Sequence, residues 1–475
     1  MAYETGLTIA FPFNYVLAGI ILGVLSLEAF LRRNRAWGIP SLIIYATTAL
    51  WYFVEIFYTP EEYTSFPNSI IEDSYTEVII FLISYRLMIS YCTKRLVNRR
   101  LNMATYISQF TFNPNRFLVY IASVWLILLL FGLSRVNWNL VEALFPLTGR
   151  AGINMWSRAG AGAAGAGGFI ISSANYIYTL TCAFFGILLF FTRNQIKILN
   201  LALILASWPF YMLSGTRNQF LAVAMPAFFT YLLLSKQKWW MKILVSLLLF
   251  GMLNYLFTIV IAYRDVGFQS VVSNLMQGQE INKPETKHLG LNMAVELFYI
   301  NQFYDQGQVQ LQYGFDYLAD FLNFIPRAIW PEKPILGLQY NLLRGFGSSR
   351  GDIGVFATIA SGFIGRGVLN FGPWLGPIAP ALLLALWSAL LSRFWSQRYS
   401  VLRLCLFLMG LGITPNLGRD ITLLVIWPMI FGYGLVRFLE HLDRKKQRQM
   451  SRFIPDSGSA AAIRQNFYRD LENDS

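Results

Sequence analysis

Residues 117–134 read FLVYIASVWLILLLFGLS, a run without one charged side chain, closed at its ends by Arg116 and Arg135. An α-helix rises about 1.5 Å per residue and the hydrocarbon core of a bilayer is about 30 Å thick, so lipid demands a run of this kind for one crossing. Comparable runs recur near 10–30, 37–58, 77–93, 116–134, 169–192, 197–213, 219–235, 240–262, 373–393, 401–417 and 421–438. Composition agrees. Of 475 residues, 55% are hydrophobic, 16% aromatic and only 13% charged, with mean hydropathy +0.47. A soluble domain carries about 25% charged residues, so this chain lacks the polar surface that water requires. It is expected to be an all-α polytopic membrane protein with about eleven or twelve transmembrane helices.

The formal charge of +13 has a place in that scheme. Basic residues collect in short connections: Arg32, Arg33 and Arg35; Lys94, Arg95, Arg99 and Arg100; Arg193 and Lys197; Lys236 and Lys238; Arg393 and Arg398. The tail adds Arg444, Lys445, Lys446, Arg448 and Arg452. They alternate with the acidic connection 59–76 (Glu61, Glu62, Glu72, Asp73) and the mixed region 264–352. The positive-inside rule then sets the N-terminus outside and the C-terminus inside, and the charge serves topology and anionic lipid rather than nucleic acid. The N-terminus leads into a full-length span without a basic lead, so no cleaved signal is expected. Cys92, Cys182 and Cys405 fall inside apolar runs without metal-ligand spacing and read as small core residues.

Four parts follow: an N-terminal transmembrane bundle, 1–263; a long outer loop with short amphipathic helices, 264–352; C-terminal transmembrane helices, 353–438; and a cytoplasmic tail, 439–475, helical or disordered. Within the third, 353–371 is apolar but broken by Gly354, Gly362, Gly365, Arg366 and Gly367. A re-entrant or broken helix is expected there, because irregular backbone at membrane depth survives only where protein or water satisfies it. The AGAGAAGAGG stretch at 159–168 reads as a flexible outer loop. Glu55 and Arg86, on consecutive spans, are expected to form an ion pair, since charges inside a membrane turn inward and pair.

The outer face should be poor in basic residues, yet it carries Arg150, Arg158, Arg217, Arg264, Arg327, Arg344, Arg350 and Arg419 against only Lys283, Lys287 and Lys333. Arginine keeps its charge when desolvated and presents a planar fork of donors that matches phosphate oxygens. A phosphate-binding cluster is expected from Arg217, Arg264, Arg327, Arg344, Arg350 and Arg419. The alternative for each is headgroup contact or a local pair, as with Asp265 after Arg264 and Asp420 after Arg419. The region 264–352 contains YGFDYLADFLNFIPRAIWPEKP at 313–334 and QYNLLRGFGSSRGDIG at 339–354. Trp330 among its prolines suits an interfacial anchor or a platform for a sugar ring. The Gly345, Gly347 and Gly351 loop beside Arg344, Arg350 and Asp352 can cradle an anion on its backbone N–H groups. No P-loop, HExxH or CxxC pattern occurs, so neither a metal nor a cofactor is expected.

Several blocks are similar to a family. SGTRNQFLA at 214–222, IPRAIWPEKP at 325–334 with Tyr340 and Asn341, GDIGVFATIASGF at 351–363 and GRDITLLVIWP at 418–428 resemble the Wzy-type oligosaccharide repeat-unit polymerases of enterobacterial common antigen and O-antigen. The order of the blocks and the long outer loop also agree. The chain departs in Glu332-Lys333, where the family has a Gly-Arg pair, and in the glycine-rich 159–168 stretch.

The resemblance implies a GT-C-like membrane glycosyltransferase of the bacterial inner membrane with its site facing the periplasm. It would join undecaprenyl-pyrophosphate-linked oligosaccharide donor and acceptor units by a metal-independent, inverting transfer. A chain-length regulator is the implied protein partner. The arginines would hold pyrophosphate, and Trp330, Tyr340 and Asn341 the sugar. The acceptor hydroxyl needs a base, for which Asp352, His288 and Asp420 come first, with Asp265 and Glu296 behind them. Competing readings are a ligase for a finished lipid-linked glycan, a transporter or flippase of lipid-linked sugar, and a non-catalytic scaffold. No internal repeat of the kind carriers show is visible.

Overall fold

The computed structural model describes residues 11–57, 60–98, 113–147, 154–156, 166–214, 217–263, 276–277, 292–322, 325, 330, 337–345, 359–398, 400–419 and 423–453. Among them the regular structure is entirely helical. The N-terminal part contains α1 (Phe13–Leu31), α2 (Gly38–Tyr52), α3 (Pro60–Thr64), α4 (Asn68–Asn98), α5 (Pro114–Arg135) and α6 (Leu140–Leu144). Then come α7 (Ala166–Leu188), α8 (Asn194–Leu213), α9 (Arg217–Leu234) and α10 (Trp239–Tyr263). The region expected as outer loop forms α11 (Met293–Asp305), α12 (Phe315–Phe321) and α13 (Leu338–Leu343). The chain ends with α14 (Phe363–Leu375), α15 (Ile378–Ser396), α16 (Val401–Arg419) and α17 (Leu423–Phe453).

Every expected span has a helix under it. Seven, α1, α4, α5, α7, α8, α15 and α16, are long and apolar enough to cross a bilayer; within α9 and α10, Asn218–Leu234 and Trp239–Leu253 are apolar but shorter. Helices of this kind satisfy their own backbone groups, the condition that hydrocarbon imposes. The chain is a multi-pass membrane protein. Its two compact units are Met1–Met429 and Ile430–Ser475, the second beginning inside α17. In that second unit the helix continues to Phe453, into the stretch expected as a tail, and 454–475 lie outside the described residues.

The centre of the first unit is α4 against α15, with α2 beside them. The Tyr85 hydroxyl lies 2.8 Å from Ser388 Oγ and 3.1 Å from Ser41 Oγ, one polar knot between three helices. Nearly every residue of α16 is buried, whereas α1 exposes Ile20, Val24, Leu27 and Leu31. Close approach explains Gly412, where a Cβ would meet the ring of Pro226 and push α16 away from α9. Cys92, Cys182 and Cys405 are buried free thiols, as the sequence suggested.

Several expectations change. Arg86 pairs with Glu28 of α1 through a two-pronged contact, Nε–Oε2 and Nη2–Oε1 both 2.6 Å, and Arg32 joins at 3.0 Å. Glu55 cannot take that role, because α2 stops at Tyr52 and Glu55 opens a short 3-10 turn. The Tyr75 hydroxyl donates to the Tyr52 carbonyl at 2.8 Å, so this turn sits level with the start of α4. Arg86 lies eleven residues further along, about 16 Å at helical rise. The acidic connection also proves partly helical: α4 begins at Asn68, and the Glu72 carboxylate accepts the N–H groups of Phe13 (2.7 Å) and Asn14 (2.8 Å) at the start of α1. First-turn N–H groups have no partner within their own helix, and an anion there also meets the positive end of the helix dipole.

In the glycine-rich stretch, residues 166–168 belong to α7, and 159–165 lie outside the described residues. From 353–371, residues 353–358 are likewise outside, while α14 begins at Phe363 and breaks at Gly372, with φ 79° and ψ 176°. Glycine tolerates that conformation, and Pro373 behind it supplies no N–H for the helix.

Candidate functional site

Two arginines that lie far apart in sequence come to the same end of the bundle. Arg217 opens α9 and Arg419 closes α16, and these two helices pack antiparallel. Asn416 Nδ2 donates to the Asn218 carbonyl at 2.8 Å, tying the first turn of α9 to the last turn of α16. Arg217 is the residue before Asn218, and Arg419 follows Asn416 by less than one turn. Helix α2 ends at this level too. Trp51 Nε1 donates to the Pro415 carbonyl at 2.9 Å, and Gly418 is pressed so close to Thr47 and Trp51 that no side chain would fit. The Tyr52 hydroxyl next along accepts the Ile364 N–H at 3.1 Å, which brings the start of α14 to the same place. Helix α11 arrives there as well, since a Cβ on Gly362 would meet Met293.

From this end α11 carries a second arginine centre. Asn292 caps the helix, its Oδ1 accepting the N–H groups of Ala294 (3.1 Å) and Val295 (3.2 Å). Glu296, in the first turn, is 2% exposed. Its carboxylate accepts the hydroxyl of Tyr340 and the guanidinium of Arg344, with Nε–Oε2 3.1 Å and Nη2–Oε1 3.4 Å. The guanidinium carbon stands 3.5 Å from the centroid of the Tyr299 ring. Burial raises the Glu296 carboxyl above its ordinary value, with Arg344 and the Tyr340 hydroxyl pulling the other way. Burial beside that carboxylate holds Tyr340 far above a normal phenol, so it remains a hydrogen-bond donor. The arginine is therefore locked in orientation against α11.

The other expected site residues divide clearly. Tyr340 and Asn341 are interior residues of α13; Asn341 Oδ1 accepts the Ile359 N–H at 2.8 Å, and its Nδ2 donates to Gly337 O at 2.8 Å. Their polar atoms bind protein. Trp330 is half-buried, and so is Arg419. Arg150, Arg158, Arg264, Arg327, Arg350, Asp265, His288, Asp352 and Asp420 lie outside the described residues, and Arg217 is described only as the first residue of α9. No group of three or more His, Cys, Asp or Glu side chains that could hold a metal ion occurs among the described residues.

Two polar clusters join the 264–352 region to the bundle, and neither stands out in the sequence. Asn301 Nδ2 reaches Ser74 Oγ (2.8 Å) and Glu77 Oε2 (3.1 Å) on α4. Arg366 of α14 sits between Asp316 Oδ2 (2.7 Å) and Asp320 Oδ2 (2.9 Å) of α12. The four-residue spacing of those aspartates in FDYLADF was the available signal, since it puts both on one helix face.

A double-mutant cycle checks the Glu296 centre. Glu296→Gln and Arg344→Gln, singly and together, should show coupling of about 0.5–3 kcal/mol in unfolding from detergent, the range for residues in one network. Additive effects would dissolve the pair.

No protein-family model, curated protein or solved structure matches the chain. The fold itself defines a class, the helical multi-pass membrane proteins.

Proposed function

We propose that this protein is a glycosyltransferase that polymerises undecaprenyl-pyrophosphate-linked oligosaccharide repeat units on the periplasmic face of the bacterial inner membrane. The observation that carries the reading is that α9 opens with Arg217 and α16 closes with Arg419 at the same end of the pair. They come from two of the blocks that resemble the Wzy-type polymerases, SGTRNQFLA and GRDITLLVIWP. By the charge pattern of the connections, this is the outer end.

The chemistry asks for such an arrangement. In the transfer, the bond between the donor sugar's anomeric carbon and the pyrophosphate oxygen breaks, and a bond forms from that carbon to the acceptor's hydroxyl oxygen. The acceptor proton passes to a base, and undecaprenyl pyrophosphate leaves. Attack from the face opposite the leaving group inverts the anomeric carbon. Negative charge grows on the leaving oxygens, and fixed cations stabilise it most strongly where water is excluded. Arg217 and Arg419 supply that charge at the level where a membrane-anchored pyrophosphate lies, with Arg344 as a further donor. The base falls among Asp352, His288 and Asp420. Glu296 takes a positioning role, since its carboxylate is engaged by Tyr340 and Arg344.

The test is extension of a defined undecaprenyl-pyrophosphate oligosaccharide by the purified protein, with and without chelator. Longer lipid-linked chains are expected in both arms. Failure to extend, with transfer only to an added distinct acceptor, would replace polymerase by ligase; loss of extension in chelator would overturn the metal-independent mechanism.

A further inference from the structure

Helix α12 is built the wrong way round for water. Its charged residues Asp316 and Asp320 point inward onto Arg366, whose side chain is 5% exposed, and Arg366 Nη2 also donates to the Asp316 carbonyl at 3.2 Å. Its large aliphatic and phenyl side chains point outward: Phe315 and Leu318 are each 51% exposed and Phe321 66%, while the one buried apolar residue is the small Ala319, beside Asp320. A helix lying on a soluble protein does the reverse, with its apolar stripe against the core and its charges in solvent. Charges turned inward and paired, with apolar side chains outside, is the arrangement that lipid selects.

The helix is also fastened at a definite place. Where α14 breaks at Gly372, the carbonyls of Leu369 and Asn370 lose their helical donors, the first because its partner would be Pro373. Gln312 and Tyr313 donate their N–H groups to these two carbonyls at 3.2 and 2.9 Å, and Gly314 N–H reaches Asn370 Oδ1 at 3.1 Å. The start of α12 is thereby clamped within about a turn of Trp374 and Leu375, which are themselves highly exposed. Those two residues run directly into α15, one of the seven long apolar helices, where Leu382, Leu383 and Leu386 are exposed in turn. Along the chain, the apolar surface beside α12 therefore continues into the lipid-facing surface of a membrane span.

We propose that α12 is an interfacial anchor. Its Phe315, Leu318 and Phe321 insert among the acyl chains at the outer edge of the bilayer, and the Asp316–Arg366–Asp320 cluster is the polar seam that closes its back. Trp374 belongs to the same band, at the depth where tryptophan is favoured. The partner is the lipid surface itself, and the inference stands independently of the enzymatic reading. Part of the region expected as an outer loop with short amphipathic helices is thus bound to the membrane. The fastening leaves α11, and with it Glu296 and Arg344, little freedom to move away from headgroup depth.

Spin labels test this in the full chain reconstituted in liposomes. Leu318→Cys and Phe321→Cys take the label at exposed positions, the unmutated chain with its buried thiols sets the background, and Gln310→Cys serves as an exposed polar control. Collision with oxygen, which concentrates in lipid, and with a water-soluble nickel chelate is then measured. At 318 and 321 oxygen accessibility should exceed that of the chelate several-fold, with the opposite order at 310. High chelate accessibility at 318 and 321 would mean a water-facing helix. Low accessibility to both reagents would mean a protein partner or a second copy. Either result overturns the anchor.

Discussion

Lipid-linked single repeat units, with no longer chains, are the expected product in cells whose protein carries Arg217→Ala or Arg419→Ala. In the proposed transfer, each substitution removes a fixed charge from the place where the leaving pyrophosphate would develop its own, and losing one such donor costs a rate factor of about 10² to 10³. Polymer length amplifies the defect, because every added unit repeats the slowed step. Lysine at either position should recover only part of the activity, since an ammonium group retains charge but loses the planar fork. Gel ladders of the polysaccharide read the result. A normal ladder in both alanine variants would remove the phosphate assignment from this end of the α9–α16 pair, and full recovery with lysine would reduce the role to simple charge.

The second large effect concerns stability. Arg366→Met should destabilise the protein by about 3–5 kcal/mol, the usual consequence of leaving buried charges without their partner. Two carboxylates, Asp316 and Asp320, would face an apolar side chain, and α12 would be held to α14 only by the hydrogen bonds at its start. Thermal unfolding in detergent measures this, together with the amount of protein that reaches the membrane. Replacing all three residues with apolar ones of similar volume should restore much of the loss, because a well-packed apolar set often matches a buried ion cluster. If Arg366→Met alone shifts stability by less than about 1 kcal/mol, the cluster is not buried in the way described.

How far the residues announce this structure depends on the range of the signal. Spans such as 117–134 are local statements: hydrogen bonding within the helix and apolarity along it are both readable from one window. Ends are less readable. Helix α4 runs on through Glu72 and Asp73, which look like loop residues until Glu72 is seen to serve the first turn of another helix. Arg86 was legible as a paired charge, but its partner was not, because consecutive spans share only one end and Glu55 lies at the wrong one.

The candidate site divides in the same way. That Arg217 and Arg419 belong to one side was expected from the charge alternation, but bringing positions 217 and 419 to one helix-pair end needs the close fit of Gly412 on Pro226 and the Asn416–Asn218 bond. The capture of Arg344 by Glu296 required bringing α13 onto α11, which no periodicity encodes. Tyr340 and Asn341 enter as sugar ligands through the resemblance; the structure shows that their polar atoms also fasten α13.

The carboxylate of Glu72 gives the fold an order in time. Phe13 and Asn14 are joined to the chain well before residue 72 exists, so until it is made their N–H groups lack this carboxylate. The first span is therefore completed by a later one. Its leading end matures only when the start of α4 arrives, which ties the maturation of α1 to translation reaching that point.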